Sequence, residues 1–156
     1  MQAESRLEEQ VGFADEVGLL YEDFGFPRVW GRVLGWLLVC EPDFQSAERL
    51  ATVLHASRGS ISTTTRSLVR AALVERHTIR GDRRTYYRIR PGSWTSVFEE
   101  QIQTAKRMRE LAERGLELLS HEPAERRRRL KELHDLTTFY GREAPALLAR
   151  WHREHP

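Results

Sequence analysis

Cysteine is almost missing from this chain. Cys40 stands alone among 156 residues, so no internal disulfide can form, and no Cys/His set has the spacing of a structural zinc site. A reducing, cytoplasmic setting is the expectation. Long apolar runs are missing too: the longest stretch, residues 33–40, falls far short of the roughly 20 residues that a bilayer span requires. Met1 is followed by glutamates in place of a basic and then apolar leader, so neither membrane nor export is expected. His152 and His155, or His121 with Glu122, lack a third ligand at helical or hairpin spacing and read as surface histidines, with no metal. No phosphate loop, nucleophile elbow or Ser-His-Asp series on suitable turns is found. Neither an enzyme nor a bound cofactor is expected.

What is present is a globular composition, 40% apolar and 31% charged, with its charge unevenly distributed. The overall net charge is only +2. Within residues 56–91, however, nine arginines face two acids, Glu75 and Asp82, whereas residues 1–25 carry Arg6 against seven acids. A segregated basic element of this kind points to an anionic partner.

Hydrophobic spacing orders the elements. Leu7, Val11, Ala14, Val17, Tyr21 and Phe24 recur at steps of three or four, the stripe of an amphipathic helix that stops near Gly25. From Pro27 to Glu41-Pro42 the chain is apolar on nearly all sides, which predicts a buried helix, with Gly31 and Gly35 along one edge. Ser46 is positioned to cap a short helix, and Ser57 a second one. In the second, Ile61, Thr65, Leu68 and Ala72 form an inward stripe opposite Gly59, Ser60, Thr63, Arg66, Ser67 and Arg70. LVERHTIR and RTYYRIR, flanking a tight Gly81-Asp82-Arg83 connection, read as a hairpin. A long helix from about Trp94 to Leu119 and one or two helices after Pro123, the last over residues 146–151, complete the chain.

Two short helices joined by a turn, followed by a hairpin, make a winged helix-turn-helix, and the fold class is mainly α with a small β-hairpin wing. Its expected partner is double-stranded DNA. The helix from Ser57 presents small hydroxyl side chains and arginines suited to a major groove, namely Ser57, Arg58, Ser60, Ser62, Thr63, Thr64 and Arg66, with Thr64 nearest the inward stripe. The wing tip offers Asp82, Arg83 and Arg84 to the neighbouring minor groove. Amphipathic helices at both ends of so small a lobe need a further surface to bury them. A homodimer on a pseudo-palindromic operator, with half-sites about 10 bp apart, would supply it.

The strings FGFPRVWGRVLGWLLVCEP, QSAERLATVL, ASRGSISTTTRSL and LVERHTIRGDRRTYYRIRPGSW, with the long helix that follows, resemble the MarR-type winged-helix transcriptional regulators, and among them the GbsR-like branch, over roughly residues 10–120. The resemblance implies a recognition helix beginning at Ser57 and a wing in which Asp82 orients Arg84. It also implies homodimers built from residues 5–22 and 95–153, and release from DNA by a small-molecule effector, choline-responsive members being known in that branch. The expected division is a dimerisation helix over residues 1–25, a DNA-binding domain over 26–92 and C-terminal dimerisation helices over 93–156. A repressor fits the family's habit; the alternative is a winged-helix protein-interaction module, which would expose apolar residues on the helix from Ser57.

Three features have a plainer reading beside a sharper one. Tyr21, Phe24, Phe26, Trp30 and Trp36 read as core, although the resemblance raises an aromatic cage for a quaternary ammonium ligand, with Tyr21, Phe24, Trp30 and Trp36 as its residues. Cys40 reads as a buried structural thiol in preference to a redox sensor. The run Arg126 to Arg129 reads as a solvated helix face beside Glu125 and Glu132.

Overall fold

Three small residues determine how the chain's first two helices meet. In the computed structural model, which describes residues 2–156 and side chains from Glu4 onward, α1 (Gln2–Asp23) lies against α2 (Arg28–Val39). A methyl group added at Gly31 would fall 2.6 Å from the Val17 carbonyl oxygen, and one at Gly35 would fall 3.0 Å from the Ala14 Cα. Only glycine permits so close a backbone approach at these positions. Gly18 on α1 completes the contact, since a Cβ there would fall 3.0 Å from the Arg28 carbonyl oxygen. The small edge expected of the buried helix is thus an interhelical seam, and Trp30, Val33, Leu34, Trp36 and Leu37 of α2 are buried around it.

The chain then forms β1 (Phe44–Ser46), α3 (Ala47–Val53), α4 (Arg58–Arg70), β2 (Val74–His77) and β3 (Tyr86–Ile89). Both expected caps are made: Ser46 Oγ accepts from Arg49 N at 3.2 Å, and Ser57 Oγ accepts from Ser60 N at 3.1 Å. The core gathers Leu34, Leu50, Leu54, Ile61, Leu68 and Val74, all essentially inaccessible to solvent. The sheet is three-stranded and antiparallel in the order β1-β3-β2, so the expected hairpin gains a third strand. Phe44–Ser46 is too short to carry a period-two signal. The strands are also shorter than expected, and their connection runs over residues 78–85. Within it, Asp82 N donates to the Ile79 carbonyl at 3.0 Å, and Gly81 takes φ +88°, the left-handed value that a glycine-bearing turn requires.

The chain divides into two compact units, the first ending at Ser93 and the second running from Trp94 to Pro156. The elements described so far, including α1, belong to the first. The second holds α5 (Ser93–Leu118), all but its first residue, and α6 (Ala124–Glu154). Near their connection the two helices pack closely: Gly115 faces the Leu130 side chain, and His134 Nε2 lies 3.3 Å from Glu113 Oε1. Toward the other end, an apolar trough of about 680 Å³ opens between them, lined by Trp94, Phe98, Ile102, Tyr140, Leu147 and Trp151 among others. α6 is one helix and not two, running through Pro145. Its stripe of Leu133, Thr137, Tyr140, Ala144 and Leu148 keeps a three-four spacing across the proline. No helix among the described residues is long and apolar enough to cross a membrane.

Candidate nucleic-acid interface

The helix α4 has two chemically distinct sides. Ile61, Thr64, Thr65 and Leu68 are buried, and Thr65 Oγ1 donates back to the Ile61 carbonyl at 2.9 Å, which satisfies a hydroxyl placed in the core. Ser57, Arg58, Gly59, Ser62, Thr63, Arg66 and Arg70 are exposed, and Ser60 is half-buried. Thr64 therefore departs from the expected contact set, being three residues after Ile61 and four before Leu68, on the face that packs inward. Ser67 also turns inward, its Oγ accepting from Trp30 Nε1 at 3.2 Å, which ties α4 to α2. Ala72, expected on the inward stripe, lies beyond the helix at φ +57°.

The turn before α4 is braced from α2. Arg32 pairs with Asp15 of α1 and donates through Nη1 to the Leu54 carbonyl at 2.8 Å. Beside it, an open hollow of about 450 Å³ is lined by Asp15, Arg28, Val29, Arg32, Ala56, Ser57 and Ser60. The hollow lies at the start of α4, where the helix dipole and unpaired amides favour an anion.

At the wing tip, Asp82 organises its neighbours. Its Oδ1 accepts from the Arg84 backbone N at 2.9 Å and from Arg84 Nε at 3.1 Å, while Oδ2 accepts from Arg84 Nη2 at 2.7 Å and from the Tyr86 hydroxyl at 2.7 Å. The Arg84 side-chain bonds first, then its backbone amide and the Tyr86 hydroxyl, hold the Asp82 carboxyl well below the usual carboxylate range. Arg84 keeps 59% of its side chain exposed. Arg83 makes no ion pair among the described residues and is exposed. Elsewhere on the sheet, Arg88 pairs with Glu75 across the strands at 2.7 Å, so this arginine is engaged within the protein.

Of the aromatic set expected in the core, only Trp30 and Trp36 are buried; Tyr21 is half-buried, and Phe24 and Phe26 are exposed at the turn between α1 and α2. Trp30 stacks on Phe26 with centroids 4.6 Å apart, and Tyr21 meets Phe24, Phe26 and Trp30 at 4.9–5.9 Å. Trp36, six residues beyond Trp30, is on another side of α2 and makes no ring contact with them among the described residues. Cys40 is buried, and that burial pushes its thiol up to about 11. Arg126, first of the basic run, pairs with Glu122 at 2.9 Å.

Residues 24–85 match the MarR family, and residues 92–154 match the MmpR5-like MarR family transcriptional regulators. The HTH-type transcriptional regulator MmpR5 of Mycobacterium tuberculosis is 41% identical over 139 residues, which cover 89% of this chain and 84% of that protein. This chain belongs to the MarR family of transcriptional regulators. A crystal structure described as a transcriptional regulator is 39% identical, covers 93% of this chain and 99% of its own, and superposes with a TM-score of 0.78. MarR proteins are DNA-binding winged-helix regulators and not enzymes. The branch to which these comparisons point is MmpR5-like, where the sequence resemblance expected GbsR-like. Within this MarR lobe, three residues near the interface were missed by sequence reasoning. Arg28 and Arg32 were absorbed into the apolar pattern of α2, although two arginines in so apolar a helix were the signal. Tyr86 read only as a strand residue, which its period and ring predict equally well.

Proposed function

We propose that this MarR-family protein is a dimeric, sequence-specific DNA-binding regulator that acts as a repressor. In this reading α4 enters a major groove and the arginine-tipped wing reaches the adjacent minor groove. The observation that carries it is the Asp82–Arg84 clamp, which holds an exposed guanidinium at the end of the wing, in a lobe whose helix α4 has an outward face that is small, hydroxylated and cationic. Ser57, Arg58, Ser60, Ser62, Thr63 and Arg66 supply that face, and side chains of this type bond base edges and phosphates without steric obstruction. The hollow at the start of α4 suits a backbone phosphate, with Arg28 beside it. An outward face without large apolar groups gives a protein-docking winged helix nothing to bury.

Dimerisation is supported by apolar side chains left exposed on the terminal helices away from the trough: Leu19 and Leu20 of α1, and Leu136 and Phe139 of α6. A small-molecule effector completes the proposal, and the trough between α5 and α6 has the volume of a small-molecule site. The test is selection from random duplexes of about 30 bp, enough for two half-sites a helical turn apart, followed by footprinting of the winner. Enrichment of a pseudo-palindrome is expected. Failure to enrich any sequence at low ionic strength would remove sequence-specific binding.

A further inference from the structure

We propose that Tyr86 is a positioning residue of the wing: its hydroxyl, rooted in the sheet, holds the Asp82 carboxylate on which Arg84 is mounted, so that the affinity carried by Arg84 depends on that hydroxyl. The inference rests on the reading of Arg84 as a DNA contact. By themselves, Asp82 and Arg84 are two residues of one exposed loop, and a pair of that kind orders little, because both partners move together and solvent competes for each bond. The third participant differs. Tyr86 is buried, with 8% of its surface exposed, and its backbone is paired on both sides, with Ser46 of β1 and His77 of β2. Phe44 of β1 meets its ring edge-on at 5.3 Å and also contacts His77 at 4.8 Å.

From this anchored ring the hydroxyl donates to Asp82 Oδ2 at 2.7 Å. The carboxylate then receives Arg84 through its backbone N, Nε and Nη2, which sets both the turn and the plane of the guanidinium. The Arg84 Cζ lies 5.5 Å from the centroid of the same Tyr86 ring, close enough for cation–π attraction. Tyrosine thus meets the arginine twice, once through Asp82 and once through its face. Arg84 Nη1 is left without a partner among the described residues, available to an acceptor on DNA. Phenylalanine at position 86 would retain the ring, the sheet pairing and the burial, and remove only the bond that orders the carboxylate. The Asp82 carboxyl, held far below its ordinary range partly by this hydroxyl, is charged throughout the neutral range, so the hydroxyl always has an anion to which it can donate.

The experiment is a double-mutant cycle on the selected duplex, with binding followed by fluorescence anisotropy and folding by thermal melting. Arg84→Ala is expected to weaken binding about ten- to a hundredfold, and Tyr86→Phe about three- to tenfold, with a melting temperature lowered by a few degrees at most. The double variant is expected to bind no worse than Arg84→Ala alone, because the hydroxyl acts only through the arginine. In the free protein, Tyr86→Phe should also accelerate hydrogen exchange at Arg84 Nε–H, which a hydroxyl that merely stabilised the sheet would leave unchanged. Wild-type affinity for Tyr86→Phe, or full additivity in the double variant, overturns the proposal while leaving the wing's role intact. An Arg84→Ala protein that binds normally overturns both. If Tyr86→Phe melts much earlier, the cycle is run with Asp82→Asn at the loop tip, where wild-type affinity is equally fatal.

Discussion

Arg84 binds one carboxylate through its backbone amide, Nε and Nη2, and that arrangement governs what its removal should do. Arg84→Ala is expected to cost about 1–3 kcal/mol of DNA affinity and to lower the slope of log affinity against log salt by about one unit, as for one lost phosphate or groove contact; titrations at several salt concentrations measure both. The pH dependence follows from the same residues. A depressed carboxyl contributes its full interaction above its ordinary value near 3.9 and loses it only as pH falls through the depressed one. The ratio of wild-type to Arg84→Ala affinity is therefore expected to stay constant from about pH 5 to about pH 8, and a decline toward pH 5 would contradict the assigned ionisation. Taking this ratio cancels the titrating groups that do not interact with Arg84, and Glu48 is the further carboxylate that does. Much of this was legible at the residue level: Ser46 and Ser57 were recognised as caps because capping is decided within four residues. Thr64 was harder, since a single step of about 100° separates it from exposed Thr63. Tyr86 was illegible as a hydroxyl donor because its partner is set by the turn, not by the strand.

Among the elements, the α1–α2 pair has the least tolerance. Gly35→Ala would place a methyl group 2.8 Å from Val17 Cβ and 3.0 Å from the Ala14 Cα, within a seam closed on both sides by helix backbone. A loss of about 1–3 kcal/mol in unfolding free energy is expected, read by denaturant titration. Gly12, with nothing within 4 Å, serves as the control, and Gly12→Ala should be neutral or slightly stabilising. The same-edge placement of Gly31 and Gly35 was visible in the sequence, while the identity of the partner helix was not, because spacing defines a face and says nothing of what covers it. The wing had the opposite fate. Its β-branched and aromatic residues announced two strands, but β1, a strand of three residues, joined them through pairing that no local pattern encodes.

At the scale of the whole molecule, several large apolar side chains are left facing solvent. Phe139 is 55% exposed and Leu136 is 65% exposed, one turn apart on α6, and exposed apolar rows of this kind mark association surfaces. Replacing both with aspartate is expected to shift the protein to a monomer in sedimentation while the winged-helix lobe keeps its melting transition. Binding to the full palindrome should then fall toward that of one half-site. Deleting residues 1–22 is a poorer test, since α1 covers α2 and its loss would open the seam at Gly31 and Gly35. The amphipathic ends were legible as faces needing cover; that of α1 is covered by α2 of its own lobe, with Gly31 and Gly35 against Val17 and Ala14, while Leu136 and Phe139 of α6 remain exposed.

Cys40 has one practical corollary. As the chain's sole sulfhydryl, enclosed and raised to about 11, it holds almost no thiolate at neutral pH. A cysteine introduced at Thr85, on the outer loop, would react with maleimide alone. A dye attached there would report wing docking in real time, with the native sulfur left in place.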